Sequence, residues 1–279
     1  MKVWFITGAS RGFGLEITKA VLASGDKVIA AVRTPDEFVL QVSNNENLLV
    51  VPLDVTNEEQ SKKAVLTGHD YFGRIDVLVN NAGYGLLSAV EEASGEEVKK
   101  NYDTNVFGTL NVIRAVLPFM RKQRSGHIIN ISSVGGLTGS IGWGLYSSTK
   151  FAIEGITEAL ALELAPLGIK ATVVEPGYFR TNFLDASSLN RTANIIEDYA
   201  ETVGKMRAFA TQVNRKQPGN PVKLAEAFIK LAVAENPPLH LPLGKDTLER
   251  YEHKTAGFAK DIENWYDVII GTDHDDVVK

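Results

Sequence analysis

Tyr146 and Lys150 stand at i and i+4 ahead of a helical pattern (Phe151, Ile153, Ile156, Leu160, Leu164). Residues so spaced share one helix face, so a phenol and an ammonium there can serve one site. A tyrosine near its reference pKa of about 10 is a poor acid or base at neutral pH. A cation held close favours the phenolate and suits the side chain to proton transfer. Upstream, Ser132-Ser133 ends the apolar run His127-Ile128-Ile129-Asn130-Ile131. A strand ending at Ser133 and a helix starting at Tyr146 can aim hydroxyl and phenol at one point. Taken alone, Tyr-x-x-x-Lys is a common accident and a serine pair ends many strands. What surrounds them decides.

The surroundings are short apolar runs alternating with amphipathic stretches. The runs are Val3–Thr7, Lys27–Val32, Leu48–Leu53, Val77–Val79, Ile128–Ile131, Ala171–Val174 and Leu239–Leu241. Strands that alternate with helices predict βαβ units and a parallel sheet covered on both faces. With no linker, repeat or low-complexity segment, residues 1–279 read as a single α/β domain. A net charge of −5 argues against nucleic-acid and anionic-membrane surfaces, and the absence of cysteine excludes disulfides and thiol catalysis. No apolar run approaches the roughly 20 residues of a membrane helix. A strand-like run begins almost at Met1, so no signal peptide and a cytoplasmic enzyme are expected.

The first strand-to-helix turn reads Thr7-Gly8-Ala9-Ser10-Arg11-Gly12-Phe13-Gly14. Glycines there permit a tight turn and let backbone N–H groups approach a pyrophosphate at the helix N-terminus. After the second strand, Arg33 stands where an acidic residue would select the ribose hydroxyls of NAD. Arginine pairs instead with a 2′-phosphate, and Arg11 can reach the same group. Asp54, beside Val55, can accept from an adenine amino group or cap the next helix. Asn80-Asn81-Ala82-Gly83 suits a turn beneath a cofactor. Asn105, within a helix expected over about Glu96 to Lys122, is a polar amide that needs partners. Pro176-Gly177 marks a sharp turn. Residues 182–218 carry weak periodicity and are expected to form a substrate lid. In residues 246–279, Leu248, Tyr251, Phe258, Ile262, Trp265 and Tyr266 are candidate packing residues ahead of an acidic tip expected to fray.

Together these motifs resemble the short-chain dehydrogenase/reductase family over about residues 3 to 181. The resemblance implies a Rossmann fold with a doubly wound seven-stranded parallel sheet, order 3-2-1-4-5-6-7. It implies NADP(H) and hydride transfer between a nicotinamide and a carbonyl or alcohol. Tyr146 would protonate the developing alkoxide and Ser133 would hydrogen-bond the carbonyl. Lys150 would lower the tyrosine pKa and bind the nicotinamide ribose, and Asn105 would anchor a proton-relaying water. Gly8, Ser10, Arg11, Gly12, Phe13, Gly14, Arg33, Asp54, Val55, Asn81, Ala82, Gly83, Pro176, Gly177 and Thr181 would hold the cofactor, Thr181 at the carboxamide. A homodimer is expected through the helices near Glu96–Lys122 and Tyr146–Ala165. The tail departs from the glycine-rich end of many tetrameric members, which places a dimer before a tetramer.

Rival readings are an oxidative steroid- or retinoid-type alcohol dehydrogenase and a non-catalytic NADP-sensing protein on the same fold. A hydrolase lacks its nucleophile elbow, since Gly139-Ser140-Ile141-Gly142 has the wrong spacing. Five scattered histidines show no ligand pattern, so no metal site is expected. Leu86, Val134, Leu137, Trp143, Tyr178, Phe179 and Phe183 are candidate walls for a hydrophobic carbonyl or alcohol substrate.

Overall fold

Strands made almost wholly of Val, Ile, Leu, Phe and Trp must be covered on both faces, and they are. All five residues of β1 (Val3–Thr7) are buried, as are five of six in β2 (Lys27–Val32). The computed structural model describes residues 1–39 and 45–274. β1 and β2 join β3 (Leu48–Pro52), β4 (Val77–Asn80), β6 (Gly126–Ile131), β7 (Ile169–Pro176) and β9 (His240–Leu243). The order is β3-β2-β1-β4-β6-β7-β9, and every pairing is parallel. Counted along this sheet it is the expected 3-2-1-4-5-6-7.

Two further strands, β5 (Gly85–Leu87) and β8 (Leu189–Arg191), pair in parallel as a separate ribbon. At three residues each they are too short to leave a period-2 signal, so the sequence reading counted seven strands.

Helices α1 (Gly12–Ala23) and α9 (Pro221–Val233) cover one face. There Ile17, Val21, Leu224 and Phe228 pack against Trp4, Ile6 and Val28. Helices α3 (Glu58–Phe72), α5 (Thr109–Gln123) and α7 (Gly144–Leu164) cover the other. Val65, Val116 and Leu160 meet Phe5, Ile29 and Leu78 on that side. A short helix α2 (Pro35–Val39) follows β2.

Two expectations need correction. The long helix around Asn105 is interrupted: α4 (Gly95–Tyr102) passes through a π-helical turn, Asp103–Gly108, before α5 begins. Residues 182–218, the expected lid, contain β8, a 3₁₀ turn (Glu197–Tyr199), a π turn (Ala200–Gly204) and helix α8 (Lys205–Val213). The supposed packing residues of the tail lie on α10 (Lys245–Asn264) and α11 (Tyr266–Ile270), and they are exposed, Phe258 at 66% and Trp265 at 63%. The helix leaves the body after its first turns, and its later apolar residues stay exposed among the described residues. The end of the acidic tip, residues 275–279, lies outside the described residues.

Candidate active site

A cleft of about 1170 Å³ opens at the carboxyl ends of the strands, where an open α/β sheet binds its ligands. Its floor at one end is the glycine turn. Gly8 (φ 62°) and Gly12 (φ 55°) take left-handed conformations that a side chain would strain. A Cβ on Gly14 would run into the carbonyl of Gly8. Just after β4, Asn81 Nδ2 donates to the carbonyls of Thr7 (2.9 Å) and Gly8 (3.0 Å), and Thr7 Oγ1 accepts from the N–H groups of Asn81 and Ala82. The turn is therefore clamped before anything binds.

No side chain caps the N-terminus of α1, whose first turn carries no acidic residue. Uncapped N–H groups at the positive end of a helix dipole form an anion site. Beside them, Arg11 and Arg33 lie close enough to repel each other. Burial first, and then Arg33, hold the Arg11 guanidinium below its ordinary pKa, with Asp185 opposing. Arg11 donates to the Ser187 carbonyl at 2.5 Å. Two adjacent guanidinium groups next to free helix N–H donors fit a phosphorylated dinucleotide.

Ser10, Gly12, Asp54, Val55, Ala82 and Gly83 line the same cleft. Asp54 does not cap α3. Its carboxylate accepts from Thr56 N–H (3.0 Å) and Thr56 Oγ1 (2.8 Å), while Asn57 is the cap. Phe13 packs edge-on against Phe179, ring centroids 5.4 Å apart.

At the centre, β6 delivers Ser132 and Ser133, and α7 brings Tyr146 and Lys150 against them. Ser133 caps the short helix α6 (Val134–Leu137), accepting from Gly135 N–H at 3.0 Å. Gly135 has no Cβ to hold Ser147 Oγ and the Tyr146 ring away. The Ser133 hydroxyl faces the Tyr146 phenol and lowers its pKa. Burial acts the other way and prevails, leaving the phenol above its ordinary value. Lys150 Nζ donates to the Ile131 carbonyl at 2.9 Å and lies 5.7 Å from the Tyr146 ring centroid. Burial brings the Lys150 ammonium down to about 8, with Glu154 partly opposing.

Asn105 is spoken for. Its Oδ1 accepts from Tyr84 N–H, and its Nδ2 donates to the Tyr84 carbonyl and Thr149 Oγ1. The π turn presents this amide to the loop after Gly83, which a Cβ at Gly83 would crowd at 3.0 Å. Pro176 ends β7, and Gly177 N–H donates to the Leu243 carbonyl at 2.9 Å. Thr181 is buried beside Gly12, with its Oγ1 accepting from Phe183 N–H at 3.2 Å.

Val134, Trp143, Tyr178, Phe179 and Phe183 line the cleft as expected, but Leu86 and Leu137 do not. Leu86 is buried within β5, and α6 offers the Leu137 carbonyl to Lys254.

The sequence reading missed several supports. Asp246, at the start of α10, accepts from Tyr178 N–H at 2.7 Å and fills the space where a Gly177 Cβ would sit. Arg250 lines the cleft and donates to Ser140 Oγ at 2.6 Å. Behind Lys150, Glu154, Glu175 and His240 place ligand-type atoms within 4.8 Å of one another. No spacing signal linked these three, because α7, β7 and β9 bring them together only in the fold. Glu92 is buried and accepts from Ala89 and Ile196 N–H and from half-buried Arg207.

The comparisons agree with this geometry. The short chain dehydrogenase model matches residues 2–192. Oxidoreductase BOA17 of Botryotinia fuckeliana is 40% identical over 277 residues, covering 97% of this chain and 99% of its own. A 3-ketodihydrosphingosine reductase of Bacteroides thetaiotaomicron is 41% identical, covering 87% and 88%. The crystal structure of a short-chain dehydrogenase from Streptomyces avermitilis superposes with a TM-score of 0.89 at 38% identity, covering 98% of this chain and all of that one. The NADP-bound structure of ElxO gives 0.72 at 30% identity, covering 89% and 99%. With the clamped glycine turn, the serine–tyrosine–lysine group and these relatives in agreement, the chain is an oxidoreductase of the short-chain dehydrogenase family.

Proposed function

We propose that the protein is an NADP(H)-dependent reductase of hydrophobic ketones or aldehydes, working in reverse on the alcohols. The observation that carries this reading is the convergence of Ser133 and Tyr146 at one point of a cleft whose other end carries Arg11 and Arg33. Bound NADPH supplies the hydride. Ser133 Oγ donates to the substrate carbonyl and holds it beside the phenol. Tyr146, kept protonated by burial, gives its proton to the oxygen as negative charge develops there. Lys150 lies close enough to favour the resulting phenolate. Asn105 holds the Tyr84 loop in place, so its part in the reaction is positional.

The aromatic wall of Trp143, Phe183, Tyr178 and Phe179 favours an apolar body around the carbonyl. The relative named for 3-ketodihydrosphingosine points the same way, toward a ketone on a long hydrocarbon chain. The assembly that goes with this reading is a homodimer. NADPH oxidation followed by absorbance against aryl ketones, steroids, retinoids, long-chain 3-keto compounds and sugars tests the reading. Turnover confined to the sugars would refute the hydrophobic class, and NADH preference would refute the cofactor.

A further inference from the structure

Glu154, Glu175 and His240 meet outside the cleft, and none of the three lines it. The sheet register explains the meeting. Val173 of β7 pairs with His240 of β9, so their side chains share a sheet face, and Glu175, two residues beyond Val173, shares it too. Ala171 lies on that face by the same count and belongs to one apolar cluster with Leu160 and Leu164 of α7. Glu154, one turn past Lys150 on that helix, completes the group.

The two carboxyls are withdrawn from water. Glu175 is fully buried and Glu154 is 6% exposed. Both oxygens of Glu154 and Oε2 of Glu175 meet no hydrogen-bond donor of ordinary geometry among the described residues. Ser132, whose hydroxyl faces Glu154, donates at 3.5 Å to the Lys150 carbonyl. Buried charge of this kind is offset by pairing or by coordinating a metal.

The imidazole is turned toward both. His240 Nδ1 lies 2.9 Å from Glu175 Oε1 and 3.4 Å from Glu154 Oε2. Its other nitrogen, Nε2, lies 3.5 Å from Glu158 Oε1. A metal-binding imidazole has this arrangement, with one nitrogen on the ion and the N–H of the other on an outer carboxylate. In a tetrahedral zinc site with bonds of about 2.0–2.2 Å, neighbouring ligand atoms stand about 3.3–3.6 Å apart. The separation from Glu154 already fits, and the one from Glu175 has to open by only a few tenths of an ångström. The His240 side chain is 39% exposed, which gives an ion a way in and a water the fourth position.

The donor set selects the metal. Magnesium and calcium take shells of six or more oxygens, whereas one imidazole with two carboxylates suits zinc. Spacing along the chain speaks against a site of several histidines, but this one needs a single imidazole. We propose that Glu154, Glu175 and His240 bind a zinc-class divalent ion, with Glu158 orienting the imidazole. The ion ties α7 to the last two strands of the sheet, so its part is structural.

Titration calorimetry of the full chain with zinc chloride tests this, after EDTA treatment and removal of the chelator. One zinc should bind per chain, and Tm should rise with zinc concentration. His240→Ala should abolish both effects, with NADPH binding to report that the variant is folded. Glu158→Gln alters an exposed side chain and should weaken zinc binding about 10–100-fold. Cobalt chloride reads the ligand set directly: the wild type should acquire the visible absorption of tetrahedral cobalt, and His240→Ala should not. These readouts need no substrate, so they hold whether or not the protein reduces ketones. A wild type that takes up no stoichiometric zinc would overturn the proposal. So would zinc bound equally well by His240→Ala, which would place the ion on another histidine. Magnesium chloride bound in preference to zinc would overturn the metal class.

Discussion

Tyr146 occupies a place that works against its own ionisation. Burial keeps the phenol protonated, and the same burial draws Lys150 down to about 8, so the neighbouring cation titrates near the working range. Ketone reduction consumes a proton and uses the charged lysine. Its kcat/KM should therefore fall as pH rises through about 8. Glu154 holds Lys150 up, so Glu154→Gln should move that limb to lower pH. A pH–rate profile of both proteins checks the order. Tyr146→Phe removes the proton donor and keeps the ring, so turnover should drop roughly 10²–10⁴-fold while NADPH binding, followed by fluorescence, persists. At the cofactor end, a bidentate arginine–phosphate pair contributes roughly 1.5–3 kcal/mol, about ten- to hundredfold in favour of NADPH. Arg33→Asp should reverse the preference, and kcat/KM for both cofactors in both proteins decides it. These residues were legible because their chemistry is written in residue type and short spacing. Asp246 was not, since it acts on Tyr178, a partner that only the fold brings near.

At the scale of elements, the sheet was read correctly because its strands are long, apolar and separated by amphipathic helices. What escaped was short or irregular: the three-residue ribbon, and the π turn that aims Asn105. The expected lid segment shows where weak periodicity comes from. Its anchor is polar. Burial raises the Glu92 pKa, but the N–H groups of Ala89 and Ile196 and the Arg207 guanidinium outweigh it and keep the carboxylate below its ordinary value. Removing one partner of a buried pair strands the other, at about 3–5 kcal/mol. Arg207→Met should accordingly lower Tm by several degrees and speed hydrogen exchange across residues 185–213. In the wild type, cofactor and substrate together should slow exchange in that segment, and equal protection with and without them would remove any closing role.

The whole molecule holds a buried pair of carboxyls between α7 and β7. Burial above all lifts Glu154 and Glu175 from an ordinary 4.5 to about 7, and the charge of Glu175 adds to the lift at Glu154. His240 Nδ1 lies 2.9 Å from Glu175 and 3.4 Å from Glu154, and Glu158 and Ser132 face the same pair. Carboxyls raised in the folded state contribute stability that is complete below about 4.5 and lost as pH rises through about 7. Above pH 7, Glu175→Gln should therefore melt higher than wild type, and below pH 5 the two should converge. Melting curves from pH 5 to 9 would show it, and a parallel offset at every pH would mean that the charge is not the cause. The parallel register sets His240 beside Val173 and thereby next to this pair, an arrangement no single stretch of sequence announces.

The hydrogen bond from Tyr178 N–H to Asp246 also has a bearing on how the protein is made. The hydroxyl, phenol and ammonium are all translated by residue 150, and β6 and α7 can hold them once β7 is available. The turn from Gly177 to Thr181 must wait. Its backbone is closed by the Leu243 carbonyl and the Asp246 carboxylate, so it is finished only when the last sheet strand has emerged and paired. A nascent chain stalled at residue 244 would carry the proton-transfer group with half of its nicotinamide shelf unsupported. Late pairing of a parallel edge strand is slow and leaves apolar surface uncovered meanwhile. Ribosome-bound chains released at successive lengths should acquire NADPH binding abruptly, at the point where Asp246 clears the exit tunnel.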